Sequence, residues 1–310
     1  MKLKHYMNIA VFLALACLLL PFAALSGETT APPSEEETSQ GNVAVQRTDA
    51  GVVEDLELKD YLVGVLFAEI PHTYEEEALK AQVVAAHSLM LYRKERANGE
   101  FDVTDSPLSD QGCLDEAQAR EKYGDEYEAA RTKFERAVEA VIGYTVQYEG
   151  SIALATYHDI SAGKTEAAET MWDGGYAYLT AVESVGDLLS PDYLSTKKFT
   201  ESELAKALGG EVVEDFVENA ERSPSGTVLE TELCGKTFTG TEVRKLLDLR
   251  SANFDVKRED GEYIFTVRGH GHGVGMSQYG ANYMASLGST FTEILGWYYP
   301  SSEIVSEAPK

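Results

Sequence analysis

The sequence predicts an α+β fold in which mixed helices and short strands surround a cleft, with a transmembrane helix at the N-terminus. Three observations lead to this prediction. Apolar residues recur at helical spacing in several segments, short segments between them are typical of strands, and the two kinds interleave without the regular spacing of βαβ units. The sequence contains no internal repeat.

The elements follow from local patterns along the chain. A hairpin is predicted over 42–57, and Asp60 can cap a helix that Pro71 ends after Ile70. A second helix is predicted over 74–96, where apolar residues form one stripe. The remaining predictions are helices at 115–143, 201–208, 241–249 and 278–287, and strands at 145–148, 152–157, 178–182, 227–233, 236–239, 253–257 and 263–268.

The composition narrows the classes of partner. The chain has 310 residues, 26 of them basic and 52 acidic, and a formal net charge of −26. Because such a surface repels phosphate groups, the charge argues against nucleic acid as a partner and against adhesion to anionic lipid. The charge remains compatible with a neutral or cationic polymer as the partner. Outside the apolar leader only Cys113 and Cys234 could form a disulfide, and no Cys-x-x-Cys pair points to zinc.

The first 27 residues are predicted to be a cytoplasmic tip and a membrane anchor. Lys2 and Lys4 precede an apolar run from Met7 to Leu25, which approaches the roughly 20 residues that cross a bilayer. The alternative is a signal peptide cleaved near residues 23–27, which would give a secreted protein. Behind this leader the chain is predicted to form a flexible acidic linker, one catalytic domain and a short tail, at 28–41, 42–306 and 307–310.

The first segment with potential chemistry is GVLFAEIPHTYEEEALKAQVVAAHS, Gly64 to Ser88. Glu69 stands at the predicted helix end, next to apolar residues. Desolvation at such a place raises the pKa of a carboxyl group, and a raised pKa suits a general acid that works near neutral pH. The ordinary alternative is a solvated glutamate on the surface.

The second segment, ATYHDISAGKTEAAETMWDGGYAYLTAV, runs from Ala155 to Val182. It places the hydroxyls of Tyr157, Ser161 and Thr165 around Gly163 and adds several aromatic rings. Sites that bind sugars combine a few polar groups with apolar and aromatic faces. The alternative interpretation is a polar loop with aromatic residues in the core.

The third segment, VRGHGHGVGMSQYGANYMA, is rich in glycine. Four of the seven residues from Gly269 to Gly275 are glycine, which predicts positive φ angles or a close approach of the backbone. His270 and His272 would share one face of an extended chain. No HExxH motif or third ligand lies nearby, so a metal site is not predicted, and the Lys-Ser/Thr of a phosphate-binding loop is also absent.

Together, the three segments resemble the SpoIID/LytB family. Its G-x-G-H-G-V-G-M-S-Q-Y-G-A run is similar to Gly269–Ala281, with His272 in the place of the family's histidine and His270 at a variable place. The first segment resembles the family's A-E-M/I-P…E-A-L-K-A-Q-A-V-A-A run, and the second its S-x-G-x-T-E…W…Y-L run. The ending EILGWYYP is also similar, so the resemblance extends in order from Val52 to Pro300.

The resemblance implies an enzyme like stage II sporulation protein D, which degrades peptidoglycan during forespore engulfment alongside a cell-wall amidase and a membrane scaffold protein. The implied reaction is that of a lytic transglycosylase without a cofactor. It cleaves the MurNAc–GlcNAc bond of glycan strands that have lost their stem peptides and leaves 1,6-anhydro-MurNAc ends. The family's catalytic glutamate falls on Glu69. A hydrolase needs a second carboxylate, whereas Glu69 alone could protonate the leaving oxygen and then accept the proton of the sugar's C6 hydroxyl.

Further residues are predicted to orient the glycan. Lys80 and Gln111 match a lysine and a glutamine of the family, and the others lie in the second and third segments. The predicted substrate-binding set is Lys80, Gln111, Tyr157, Ser161, Gly163, Thr165, His272, Ser277 and Gln278.

Two departures from the family pattern affect these expectations. Many relatives have arginine where His87 stands, and histidine lacks the fixed fork of donors that arginine offers. Some relatives carry a cysteine/histidine zinc site where this chain reads TDSPLSDQGC over 104–113. With one cysteine and no histidine there, no zinc is predicted.

Two other functions remain open from the sequence. The chain could be a non-enzymatic protein that binds the cell wall and enhances a separate amidase, as the LytB name implies for some relatives. It could also be a structural component of a sporulation complex.

Overall fold

A computed structural model of the protein describes residues 41–306, apart from residues 173, 175 and 211–219. The predicted membrane anchor, nearly all of the predicted linker and the predicted tail therefore lie outside the described residues. Within the described ranges, no helix is both long and apolar enough to cross a bilayer.

The described residues form helices and short strands in an interleaved order. The helices are α1 (Leu58–Glu69), α2 (Glu76–Lys94), α3 (Glu116–Tyr123), α4 (Tyr127–Val141), α5 (Ala168–Met171), α6 (Glu201–Leu208), α7 (Gly240–Leu246), α8 (Gln278–Ser286) and α9 (Phe291–Tyr298), with 3₁₀ turns at Gly124–Glu126 and Val185–Leu189. The strands are β1 (Asn42–Arg47), β2 (Val52–Glu57), β3 (Val103–Thr104), β4 (Tyr144–Tyr148), β5 (Ser151–Ile152), β6 (Tyr157–His158), β7 (Leu194–Thr200), β8 (Glu221–Arg222), β9 (Val228–Leu233), β10 (Lys236–Thr239), β11 (Phe254–Glu259), β12 (Glu262–Arg268), β13 (Met276–Ser277) and β14 (Glu303–Ser306).

The strands pair into small sheets, so the α+β class is confirmed. Over the described ranges the sheet orders are β2-β1-β3, β10-β9-β8, β11-β12-β7, β13-β6 and β14-β4-β5. All pairs are antiparallel except β1 with β3 and β6 with β13. The parallel pair of β6 and β13 joins the second and third segments of the sequence, which brings their side chains together.

Helix α2 lies at the centre of the larger core, which we call the main core. Most of its surface from Ala78 to Met90 is buried, including the polar side chains of Gln82, His87 and Ser88. Its alanines Ala78, Ala81 and Ala85 are fully buried and let neighbouring elements approach closely. Helices α1, α4, α8 and α9 and strand β4 pack around it. The main core thus connects α1, which carries Glu69, through α2 to the chain's C-terminal helices.

A second, small core lies between the sheet β11-β12-β7, strand β9 and helices α6 and α7. Each helix begins at a capping box, in which a threonine and the glutamate three residues later bond to each other's backbone N–H groups: Thr200 with Glu203, and Thr239 with Glu242. Cys234 is buried in the small core and Cys113 in the main core, and both thiols are free.

Several predicted elements differ from the structure. The helix predicted over 115–143 is broken at Gly124, whose φ of 53° belongs to the left-handed region. The strand predicted over 152–157 is limited to two short pairings at its ends, and 178–182 is not a strand. Strand β7 was not predicted, because its sequence LSTKKFT lacks an apolar stripe. It pairs with β12 and supplies little of the core itself.

The glycine-rich turn confirms the prediction of positive φ angles and close backbone approach. Gly269, Gly271, Gly273 and Gly275 have φ angles of 73°, 111°, 84° and 77°. A methyl group added at Gly269 would lie 2.5 Å from the Ile160 carbonyl oxygen. The glycines therefore let the backbone of this turn lie directly against the segment of chain that contains β6.

We expect Gly275→Ala to lower the free energy of unfolding by about 2–4 kcal/mol. The added Cβ would combine left-handed strain with overlap of the Thr156 carbonyl oxygen. The matched control is Gly288→Ala, which has a φ of 97° but open space around the Cβ, so it should lose only about 1 kcal/mol. Urea unfolding followed by tryptophan fluorescence measures both. If both variants lost the same free energy of unfolding, close packing of the Gly275 backbone against Thr156 would not be the cause of the loss.

Candidate active site

Glu69 is the last residue of α1, and aromatic packing holds this end of the helix in place. Ile70 is already extended, and Pro71 follows it. The ring of Phe67 contacts three rings of the main core, with centroids 5.1–5.4 Å apart. These rings belong to Tyr123, Tyr127 and Phe134. The backbone that carries Glu69 is therefore rigid.

The carboxyl group of Glu69 receives one backbone hydrogen bond from a distant loop. The Gly112 N–H donates to Glu69 Oε1 at 2.5 Å. A Cβ at position 112 would lie 2.9 Å from the same oxygen. Only glycine therefore allows this loop to approach the carboxyl group so closely.

Lys122 is the nearest cation that acts on Glu69. Its Nζ donates to the carbonyl oxygens of Phe67 and Ala68, at 2.8 and 2.9 Å. These carbonyls lack partners within the helix, and a cation at a helix C-terminus is also favourable for the helix dipole. Lys122 therefore stabilises the end of α1 and places a positive charge close to the carboxyl group.

The balance of these effects raises the pKa of Glu69 above its usual value of 4.5. Burial contributes most to the increase, and the negative charge of Asp159 adds to it. The Gly112 hydrogen bond and the Lys122 charge lower the pKa, but by less. A carboxyl group with a raised pKa can donate a proton closer to neutral pH, as the chemistry of a general acid requires.

A buried network behind Glu69 positions the loop that contacts it. Gln111 donates from Nε2 to the Tyr61 hydroxyl at 2.7 Å and to the Ala86 carbonyl at 3.1 Å. The Tyr157 hydroxyl donates to Gln111 Oε1 at 2.7 Å. Gln111 and Tyr157 were both predicted to touch the glycan. Both are buried here, and their hydrogen bonds hold Gly112 in position next to Glu69. Direct contact of either residue with a sugar stays a prediction.

Asp159 is a second carboxylate of this region that sequence reasoning did not single out. Its Oδ2 lies 2.7 Å from His270 Nδ1 and 3.9 Å from Arg250. His270, to which no role was assigned, is thus the partner of Asp159. The pairing depends on the glycine-rich turn lying against β6, a contact between segments more than 100 residues apart, so no local motif reveals it.

Asp187 is a buried carboxylate that organises the second and third segments. Its Oδ2 accepts the Ser161 N–H at 2.9 Å and the Ser161 hydroxyl at 2.5 Å, and its Oδ1 accepts the Ser277 hydroxyl at 2.8 Å. Burial raises the pKa of Asp187, and these hydrogen bonds oppose the increase. Both predicted sugar-binding serines therefore point at Asp187 in this structure.

Other predicted site residues are likewise bonded within the protein. Thr165 Oγ1 accepts the Val182 N–H at 2.9 Å, and Gly163 adopts a φ of 98° beside it. Gln278 donates to Gln82 Oε1 at 3.3 Å in the interior. These contacts lie within the protein, and a direct role of these residues in binding sugar stays a prediction.

Lys80 lies in a different setting from the one predicted. Its Nζ pairs with Glu77 at 2.8 Å and with Glu76 at 3.3 Å, both on α2. The lysine whose charge lowers the pKa of Glu69 is Lys122. Lys122 belongs to α3, and the fold places the end of α3 against the end of α1. Contact of Lys80 with the glycan stays a prediction.

His272 lies at the edge of a cleft next to Trp172, with ring centroids 5.3 Å apart. Its Nδ1 accepts the Val274 N–H at 3.1 Å. Burial and the charge of Arg244 lower the pKa of His272 to about 4, so the ring is neutral near neutral pH. It can therefore act as a flat, uncharged surface.

The described residues contain no group of three or more His, Cys, Asp or Glu side chains arranged to hold a metal ion. In the loop over 104–113, burial raises the pKa of the Cys113 thiol to about 11, so the thiolate that a metal requires is disfavoured. His87 lies on α2, where its Nδ1 is 3.2 Å from the Tyr144 carbonyl oxygen.

Comparison with known proteins places the chain in a family. The family model described as Stage II sporulation protein, SpoIID, matches residues 46–148. Stage II sporulation protein D of Bacillus amyloliquefaciens is 34% identical over 322 residues, which cover 97% of this chain and 93% of that protein. The chain belongs to the stage II sporulation protein D family. The protein of the same name from Bacillus subtilis is also 34% identical, over 96% of this chain and 93% of its own length.

A more distant relative is the Bacillus subtilis protein named Amidase enhancer. It is 28% identical over 301 residues, which cover 79% of this chain but 40% of that protein. The resemblance to the stage II sporulation protein D family is thus confirmed. Glu69, Gly112 and Lys122 lie inside the range that the family model matches, whereas Asp159 and Asp187 lie outside it.

We expect Asp187→Asn to lower the free energy of unfolding by about 1–3 kcal/mol. The amide would replace one buried acceptor with a donor in a site built from three donors. The matched control is Asp192→Asn, whose side chain is 69% exposed and should change stability by less than about 0.5 kcal/mol. Urea unfolding measures both variants. If Asp187→Asn lost no more stability than the control, the role of Asp187 in holding the second and third segments together would be contradicted.

Proposed function

We propose that this protein is a lytic transglycosylase of the cell wall. It cleaves the MurNAc–GlcNAc bonds of glycan strands without stem peptides and leaves 1,6-anhydro-MurNAc ends, in forespore engulfment during sporulation. The observation that carries the proposal is the setting of Glu69: a carboxyl group at a rigid helix end, desolvated, with a raised pKa and one fixed backbone donor. Membership of a family named for sporulation supports the biological context.

The chemistry can be written with Glu69 as the acid and then the base. The protonated carboxyl group donates its proton to the glycosidic oxygen as the bond from that oxygen to C1 of MurNAc breaks. The resulting carboxylate accepts the proton of the C6 hydroxyl, and O6 bonds to C1 to close the anhydro ring. No water is consumed, and Glu69 ends protonated, ready for another cycle. The Gly112 N–H stabilises the carboxylate between the two steps.

Asp159 has a supporting electrostatic role in this proposal. Its negative charge acts on Glu69 and keeps the carboxyl group protonated to higher pH. The same charge would stabilise positive charge that develops at C1 as the bond breaks. His270 and Arg250 hold Asp159 in position, at 2.7 and 3.9 Å. If Asp159 instead activated water, the product would carry a reducing end.

A second candidate function is a non-enzymatic one. The similarity to a protein named Amidase enhancer favours a wall-binding protein that stimulates a separate amidase. In that case Glu69 would be dispensable. A cell-wall amidase and a membrane scaffold as partners, and attachment to the cell membrane through the N-terminal apolar run, belong to the same proposal and follow from the family and the sequence.

We expect Glu69→Gln to abolish the release of anhydro-MurNAc ends, with a loss in rate of at least about 100-fold, because the amide cannot transfer a proton. The measurement is mass spectrometry of denuded glycan after digestion. The control is Glu57→Gln, which changes an exposed glutamate at the other end of α1 and should keep full activity.

Three results would contradict the proposal in different ways. Full activity of Glu69→Gln would exclude Glu69 as the acid. Reducing ends in place of anhydro ends would indicate hydrolysis. Stimulation of an amidase that Glu69→Gln leaves intact, without any cleavage of glycan, would favour the second function.

We expect two variants to move the pH dependence of kcat/KM in opposite directions. Activity needs protonated Glu69, so it falls as the pH rises through the pKa of Glu69. Lys122→Gln removes a charge that lowers this pKa, so the fall should move to higher pH. Asp159→Asn removes a charge that raises it, so the fall should move to lower pH. The measured quantity is the pH at which kcat/KM falls, and not the maximal rate. If both variants moved this pH in the same direction, the assignment of Glu69 as the titrating acid would be contradicted.

A further inference from the structure

A cleft of about 530 Å³ opens next to the segment that carries Asp159, between the glycine-rich turn and the elements of the small core. It is lined from one side by the second segment, including Trp172, and from the other by Arg244 of α7 and Arg268 of β12. None of these three residues was predicted to bind the glycan.

The cleft is basic, in contrast to a protein whose formal net charge is −26. Three cationic side chains, those of Lys164, Arg244 and Arg268, line it against a single carboxylate, Glu166. Glu166 accepts a hydrogen bond from the Ser223 hydroxyl at 2.8 Å. A concentration of positive charge in a pocket of an acidic protein favours an anionic group of a ligand.

Arg244 differs from the other two cations because it has no acidic partner within the described ranges. Lys164 pairs with Glu183 at 3.3 Å, and Arg268 pairs with Asp255 at 2.5 Å. The one hydrogen bond of Arg244 runs from Nε to the Leu249 carbonyl at 3.4 Å. Its guanidinium is half-buried, which lowers the pKa of Arg244, yet an arginine keeps its charge under these conditions. Among the described residues, no side chain or carbonyl bonds to the two terminal nitrogens, which can therefore serve a ligand.

Aromatic and imidazole rings form the wall near this charge. Trp172 and His272 lie with ring centroids 5.3 Å apart, and the charge of Arg244 acts on His272. An indole face packs well against the apolar face of a sugar ring. The site therefore combines a surface for a pyranose with a fork of donors for a carboxylate.

We propose that this cleft binds a MurNAc unit of the glycan, with Arg244 bonded to the free carboxylate of the 3-O-lactyl group and Trp172 against the sugar ring. The inference rests on the proposed function, since it names the part of the same substrate that the cleft recognises. The lactyl group is a carboxylate only after the stem peptide has been removed; in intact peptidoglycan it is a neutral amide. Arg244 is therefore a residue that favours denuded strands.

Binding is measured by calorimetry with the full-length chain in detergent, carrying Glu69→Gln so that no ligand is consumed. Three tetrasaccharides serve as probes: GlcNAc–MurNAc repeats with free lactyl carboxylates, the same strand with lactyl N-methylamides, and chitotetraose, which lacks lactyl groups. We expect the acid to bind about tenfold or more tightly than either neutral probe, the difference that a charge-assisted hydrogen bond provides.

Arg244→Gln should weaken binding of the acid by about tenfold and leave chitotetraose within about twofold. The matched control, Lys245→Gln, removes the same charge from the neighbouring exposed residue of α7 and should leave all three affinities unchanged. A fourth probe, the tetrasaccharide with stem peptides attached, separates lactyl carboxylates from peptide carboxylates.

Several outcomes would overturn the inference. Equal affinity for the acid and its N-methylamide does so without any change at Arg244, and therefore even if Arg244→Gln fails to fold. If Arg244→Gln weakened the binding of the acid and of chitotetraose equally, the cleft would bind the sugar rings without recognising the carboxylate. Binding of the peptide-bearing strand as tight as that of the acid would assign the anion to the peptide.

The two proposals fail separately. A preference for the acid in a protein that never cleaves glycan would contradict the transglycosylase alone. Cleavage of glycan by the native protein, without any preference for the acid, would contradict the assignment of Arg244 alone.

Discussion

The contact between the Gly112 N–H and Glu69 Oε1 is the interaction on which the candidate site depends. A desolvated carboxyl group is unstable as an anion unless hydrogen bonds or cations compensate it. Here the compensation is partial: one backbone donor and the nearby charge of Lys122 offset less than burial costs. The group is therefore held in a defined position while its pKa remains raised, which is the combination that proton transfer needs.

Two desolvated carboxyl groups, the partly buried Glu69 and the fully buried Asp187, show how hydrogen-bond partners distinguish a reactive group from a structural one. Asp187 receives three hydrogen bonds from Ser161 and Ser277, so its oxygens are occupied and it holds two segments together. Among the described residues, Glu69 receives one hydrogen bond, at Oε1, and Oε2 is left for a ligand. Both pKa values are raised by burial, so the pKa direction alone does not distinguish the two roles; the pattern of donors does.

The glycine-rich turn connects these sites. Because its glycines allow contact with the backbone of the β6 segment, His270 reaches Asp159 and His272 lies beside Trp172. His270 of the turn thus contacts Asp159, whose charge acts on Glu69, while Gly271, His272 and Gly273 line the basic cleft with Arg244. A single backbone arrangement therefore relates the carboxyl group that would cleave the glycan to the surface that would recognise it.

The sequence by itself determined the α+β class, the helix that ends in Glu69, the unusual backbone from Gly269 to Gly275 and the family. Each of these depends on local spacing, on backbone angles or on motifs that are read along the chain. Tertiary structure alone decided that the charge of Lys122 acts on Glu69, and that Ser161 faces a buried aspartate. Desolvation and hydrogen-bond partners arise from segments brought together across 26 to 196 residues, and no local pattern encodes them.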